Sequence, residues 1–119
     1  MERTVIAVVD DLFFAAKIRG TAEQLGVKVQ FVRSVEALIE AAKTAQPATI
    51  IVDLHAHQLN PIQVAQLLKG NEELRSIALV GFFSHVQTEL QQTAKAAGFD
   101  RVLPRSAFVN QLGEILSAG

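Results

Sequence analysis

Asp10 and Asp11 close the first apolar run of the chain, Val5-Ile6-Ala7-Val8-Val9, and Asp53 closes another, Thr49-Ile50-Ile51-Val52. Runs this short, continuous and β-branched read as parallel strands buried on both faces. Carboxylates at the C-terminal ends of two such strands meet at one edge of a sheet, where open α/β proteins hold their binding crevices. Three acids gathered there repel one another, so the site needs a cation, a proton or a basic side chain. Mg²⁺ meets that need: it takes hard oxygen ligands at about 2.0–2.1 Å, and two carboxylates with a backbone carbonyl suit it. A third carboxylate beside the ion could accept a phosphoryl group as an aspartyl phosphate, with the metal neutralising charge on the reacting oxygens.

The elements that must position these acids are legible from periodicity. Strands are expected at 4–9, 27–32, 48–52, 77–82 and 101–103, and helices at 12–25, 34–45, 61–69, 85–97 and 107–118. Apolar stripes run through Phe14, Ile18, Ala22 and Leu25, then Val86, Leu90, Ala94 and Ala97, then Leu112, Ile115 and Leu116. Gly26, Gly70 and Gly98 stand where helices end in a left-handed residue, and Asn60-Pro61 sets a cap before a proline at the first helical position. Ser34 and Ser106 read as N-caps, and Ser84 with Gln87 as a capping box. Five βα alternations in one domain over residues 1–119 predict an α/β (βα)₅ doubly wound parallel sheet in the flavodoxin-like order 2-1-3-4-5. Right-handed crossovers then bring Asp10, Asp11 and Asp53 together.

Composition narrows the function classes. A net charge of −1 offers no basic field for nucleic acid and no polybasic patch for a membrane. Without cysteine there is no disulfide, thiolate metal site or thiol nucleophile, and the cytoplasm is the expected compartment. Residues 1–9 lack the features of a signal peptide, and no apolar run approaches a membrane span.

In length, element order and acid placement the whole chain resembles the receiver domains of bacterial two-component response regulators. The resemblance implies that Asp10 and Asp11 are the Mg²⁺-binding pair, that Asp53 takes phosphate from a histidine kinase or phosphotransfer protein, and that His55 offers its backbone carbonyl to the metal. It further implies output through contact with a downstream protein rather than enzymatic turnover. No effector domain is expected after the last helix, and hence no direct nucleic-acid contact. Three positions depart from the family pattern. Gly81 falls where strand 4 normally ends in Thr or Ser, Val102 where strand 5 carries an aromatic residue, and Arg105, preceded by Pro104, where Lys is followed by Pro. Arginine keeps the charge but is a planar fork rather than a compact ammonium. The metal half of the site is thus expected intact and the switch half altered, as in an atypical receiver.

Other residues carry two readings each. His55 and His57 are either a transition-metal pair or solvent-exposed loop residues. Phe13 and Phe83 either form an apolar rim beside the acids, for a partner or a second copy of the chain, or pack in the ordinary way. Arg105 either awaits a phosphoryl group or permanently pairs with the carboxylates, as would suit a phosphorylation-independent pseudo-receiver acting as an interaction module. Aspartyl-phosphate phosphatases place Asp-x-Asp after strand 1, unlike Asp10-Asp11-Leu12. A flavin or nucleotide site is not expected, because Asp11-Leu12-Phe13-Phe14-Ala15 supplies no phosphate-cradling loop.

Overall fold

Strands β1 (Arg3–Val8), β2 (Val27–Phe31), β3 (Thr49–Asp53), β4 (Ala78–Phe83) and β5 (Arg101–Pro104) form one sheet in the order β2-β1-β3-β4-β5, all pairs parallel. The structure is a computed structural model and describes residues 3–57, 59–84 and 87–117. Helices α1 (Leu12–Leu25), α2 (Val35–Ala45), α3 (Pro61–Lys69) and α4 (Thr88–Ala97) connect successive strands, and α5 (Arg105–Asn110) and α6 (Leu112–Ser117) follow β5. This is the predicted (βα)₅ doubly wound fold.

The period-2 alternation of the strands divides the interior into two layers. Ile6, Val8, Ile50, Val52 and Leu79 pack with Leu38 of α2, Val64 and Leu68 of α3 and Ala94 of α4. Val5, Ala7, Ile51, Val80 and Phe82 face the other way, onto Phe14 and Ile18 of α1, Phe108 of α5 and Leu112, Ile115 and Leu116 of α6. Every residue of β3 is buried, as a central strand covered by helices on both faces requires. Phe14, Phe82 and Phe108 meet ring to ring, with centroids 4.7–5.7 Å apart. That cluster anchors α1 and α5 beneath the edge where the acids lie. Among the described residues no helix is long and apolar enough to cross a membrane.

Several local expectations are corrected. β4 runs one residue further than predicted, to Phe83, because alternation lets Phe82 and Phe83 enter opposite layers. The last helix begins at Arg105, so Pro104 rather than Ser106 holds the N-cap position, and it breaks at Gln111 into α5 and α6. Gln87, without a side-chain bond, stands at the N-cap of α4, so Ser84 does not cap that helix. The predicted start of that helix at His85 and Val86, and the end of the last at Ala118, lie outside the described residues. Gly26 and Gly98 have positive φ (71° and 125°), whereas Gly70 stays right-handed at −82°. Gln46 ends α2 in the left-handed region at φ 48° instead. Leu25, at the end of the predicted α1 stripe, is largely exposed.

The lower end of α3 is tied to the sheet by one side chain. Lys69 Nζ donates to the carbonyls of Arg75 and Ile77 and to Asp100 Oδ2, which also accepts from the Leu79 amide. The α3–β4 connection and the start of β5 are therefore held together at the end of the sheet remote from the acids.

Candidate functional site: a partnered acidic edge

Pairing of Val8 with Val52 in the β1–β3 ladder sets Asp10, two residues past β1, at the same edge as Asp53, the last residue of β3. Asp53 is only 8 % exposed, and its Oδ1 accepts the His55 amide at 2.9 Å. Burial pushes its carboxyl above the ordinary range. The His55 amide, the His55 side chain and Arg105 pull it back, while repulsion from Asp10 adds to the rise. A carboxylate taken out of water beside another carboxylate favours its neutral form for both reasons.

Asp10 Oδ2 accepts the backbone N–H of His57 at 2.7 Å, which pins the β3–α3 loop over the edge. Its Oδ1 is buried and has no hydrogen-bond partner among the described residues. An orphaned buried carboxylate oxygen is costly, and it is the kind of atom that a cation satisfies.

Asp11 has partners of a different kind. It is the N-cap of α1, its Oδ1 accepting from Phe13 N at 2.9 Å and Phe14 N at 3.1 Å. Its Oδ2 accepts from the Arg105 guanidinium at 3.0 Å. The Phe14 amide, and after it Arg105, hold this carboxyl below the ordinary range. The guanidinium also lies over the Phe14 ring, 4.1 Å from its centroid, a cation–π geometry. In this structure Arg105 is paired with Asp11.

The switch positions differ from expectation in register. Gly81 lies inside β4, opposite Val52 on one side and Val102 on the other, while Phe82 is the residue level with Asp53. The strand therefore ends in Phe82-Phe83, still without a hydroxyl, and Ser84 follows in an exposed bend. Gly81 has a packing role: a Cβ there would stand 3.0 Å from Leu54 Cδ2 and from the Phe99 ring. Val102 is half-buried and packs against the α2/α3/α4 layer. Phe83 is buried in that same layer, so it forms no rim with Phe13. Phe13 is 90 % exposed, beside the exposed Leu12. His57 is exposed, as a loop histidine would be, whereas His55 is half-buried. Gln58 lies outside the described residues.

Among the described residues no three His, Asp or Glu side chains are gathered as an enclosed metal site would need. The oxygen donors at this edge are the carboxylates of Asp10, Asp53 and Asp11, of which Asp11 is the one already engaged by the start of α1 and by Arg105. Two contacts carry no direct sequence signal: the His57 amide on Asp10, 47 residues away, and the stacking of Arg105 on Phe14. The capping of α1 by Asp11 did carry one, an Asp just before the helix.

No protein-family model and no curated protein matches the chain. Its fold does match solved structures. The phosphorylated cyanobacterial phytochrome response regulator RcpA is 17 % identical at a TM-score of 0.80, over 98 % of this chain and 89 % of that one. A signal receiver domain from Bermanella marisrubri is 19 % identical at 0.80, over 98 % and 100 %. The Mn²⁺-bound form of response regulator Rcp1 is 13 % identical at 0.81, over 98 % and 96 %. The chain thus has the CheY-like fold of response-regulator receiver domains.

Proposed function

We propose that this chain is a phosphoacceptor receiver, taking a phosphoryl group on Asp53 and signalling by protein–protein contact. The observation that supports it most is the placement of a nearly buried Asp53 at the sheet edge, beside Asp10 with its orphaned oxygen. The donor would be a histidine kinase or a phosphotransfer protein in the cytoplasm. An ionised Asp53 oxygen attacks phosphorus, the bond from phosphorus to the donor imidazole breaks, and the imidazole nitrogen keeps the electron pair and takes up a proton. The His55 amide orients the nucleophile through Oδ1. A Mg²⁺ ion on Asp10 and Asp53, completed by the His55 carbonyl and water, would supply charge neutralisation on the phosphoryl oxygens. Phosphorylation adds about −1.5 to −2 of charge beside Asp10, and that is the signal to be read.

The output relay differs from the usual hydroxyl-and-aromatic pair, since Phe82, Phe83 and Val102 occupy those places. The exposed Phe13 and Leu12 flank the site and suit an apolar contact with the downstream protein. Intact mass after incubation with acetyl phosphate and Mg²⁺ tests the proposal, with Asp53→Asn as control. A phosphoryl adduct on the wild type alone is expected. No adduct from acetyl phosphate or from a cognate kinase, on folded protein, overturns it in favour of a phosphorylation-independent interaction module.

A further inference from the structure

We infer that a cleft at the end of the sheet remote from the acids binds a small organic monocarboxylate, with Arg101 as the residue that pairs with its carboxylate. The cleft lies between α6 and the starts of β3, β4 and β5, and has a volume of about 320 Å³. Ordinary ligand pockets span about 300–1,000 Å³. The ladders set its register: Thr49 is opposite Ala78, and Val80 is opposite Arg101. Alternation turns these four side chains to the same face as Ile51, Phe82 and Leu103, the face that α6 covers. Space is left there because β4 begins with the small Ala78, before Val80 and Phe82 fill the layer above.

The lining matches the ligand class. Ala78, Val80 and Ile115 supply apolar walls. Thr49 is only 3 % exposed, and its hydroxyl makes no hydrogen bond to another described residue, so a buried polar group is left for a ligand to satisfy. Arg101 is half-buried and gives one of its five N–H groups to Gln111 Oε1. The rest of its fork fits the planar geometry of a carboxylate. One cation balances one negative charge, whereas a dianion such as phosphate would leave charge uncompensated against apolar walls. The cleft is pre-formed, because α6 is held at both ends: Arg101 bonds Gln111 just before it, and Arg3 Nε donates to the Leu116 carbonyl near its end. Thr49 and Asp53 are the two ends of β3, about 13 Å apart, so this site is separate from the phosphoacceptor and independent of the receiver reading.

The test is a heteronuclear NMR titration of the chain with sodium benzoate, with benzamide as the neutral isostere and ionic strength held constant by NaCl. Saturable shifts are expected at the amides of Thr49, Ala78, Arg101 and Ile115. Benzamide is expected to bind roughly 10–100-fold more weakly, the loss of a charge-assisted pair. Ala78→Val, first shown to be folded by circular dichroism, fills the floor of the cleft and is expected to abolish the shifts. Arg101→Met is expected to weaken benzoate to the level of benzamide. No saturable shift at these amides overturns the inference. Equal affinity for benzoate and benzamide also overturns it, by making the cleft an apolar hollow without carboxylate recognition. Shifts that survive Ala78→Val place benzoate elsewhere, and displacement of benzoate by equimolar inorganic phosphate reassigns the ligand class; either result overturns the assignment. The comparison of benzoate with benzamide uses the wild type, so it decides the matter even if a variant fails to fold.

Discussion

The same substitution, Gly→Ala, should have opposite signs at two positions of this chain. Gly20 lies in the middle of α1, is exposed, and has nothing within 4 Å of where a Cβ would be. Alanine there gains helix propensity and restricts the unfolded chain, worth about 0.5–1 kcal/mol of added stability. Gly81 lies in β4 between β3 and β5, where the new methyl would stand 3.0 Å from Leu54 Cδ2 and from two atoms of the Phe99 ring. Leu54 and Phe99 are both 4 % exposed, so neither can swing out to solvent. Overpacking of this kind costs about 1–3 kcal/mol, against which the entropic gain of alanine returns only about 0.5–1. The net expectation at Gly81 is a loss of about 1 kcal/mol, and of up to about 2.5 where the neighbours yield least. For 119 residues the unfolding entropy is about 0.25 kcal/mol/K, so each kcal/mol moves Tm by about 4 °C. Gly20→Ala should then raise Tm by roughly 2–4 °C and Gly81→Ala lower it by roughly 5 °C, at most about 10 °C. With neither Trp nor Tyr in the chain, far-UV circular dichroism is the signal to follow. A Gly81→Ala protein more stable than wild type would refute the reasoning, by showing that Leu54 and Phe99 retreat at no cost.

Phe108→Ala removes one ring of the three-ring cluster and should cost about 3–5 kcal/mol, enough to leave the domain near its unfolding threshold; urea titration measures it. Lys69→Met removes one ammonium from two carbonyls and Asp100, and because Lys69 is a quarter exposed and Asp100 about half, the loss should be about 1–2 kcal/mol in the same assay. Asp53 has a folded-state pKa above its ordinary value of 3.8, so the folded state holds the proton more tightly. Its contribution is fully present below pH 3.8 and is lost as pH rises through the folded pKa. Asp53→Asn should therefore be more stable than wild type at neutral pH, with the advantage vanishing as pH falls to about 3.8; equal Tm values at pH 7 would contradict this. Asp11 has the opposite sign: its lowered pKa gives stability present above 3.8 and lost as pH falls through the folded value, so Asp11→Asn should flatten the acid limb of the stability profile.

The fold was legible because its determinants are local or periodic. The β-branched runs before Asp10 and Asp53, Gly26 and Gly98 after α1 and α4, and Asn60-Pro61 before α3 each act within a few residues. The misplaced features depended on what lies across the sheet. Ser84 and Ser106 have the chemistry of caps, but the end of β4 and the start of α5 are set by Phe82, Phe83 and Phe108 finding their layers. Gln46 takes a left-handed turn that glycine usually marks, so composition gave no sign of it.

At the site, the meeting of Asp10 with Asp53 followed from strand order, whereas the partners of the acids did not. A row of three carboxylates suggests a common need for one cation. The structure instead distributes the donors: the His55 amide to Asp53, the His57 amide to Asp10, and the start of α1 with Arg105 to Asp11. Two of these arrangements, those of Asp53 and Asp10, come from backbone N–H groups of the β3–α3 loop that any residue but proline could supply, and so they are invisible in side-chain identities. Such partners also change what the acids can do. Asp11 is held ionised by its donors, while Asp53 is driven toward neutrality by burial and by Asp10. The demand for added positive charge therefore falls on the Asp10–Asp53 half of the edge, where the proposed phosphoryl group would also have to be accommodated. A cation bound there would relieve the repulsion and satisfy the Asp10 oxygen that has no partner among the described residues, so the proposed metal binding and Asp53 reactivity would be two aspects of one electrostatic imbalance.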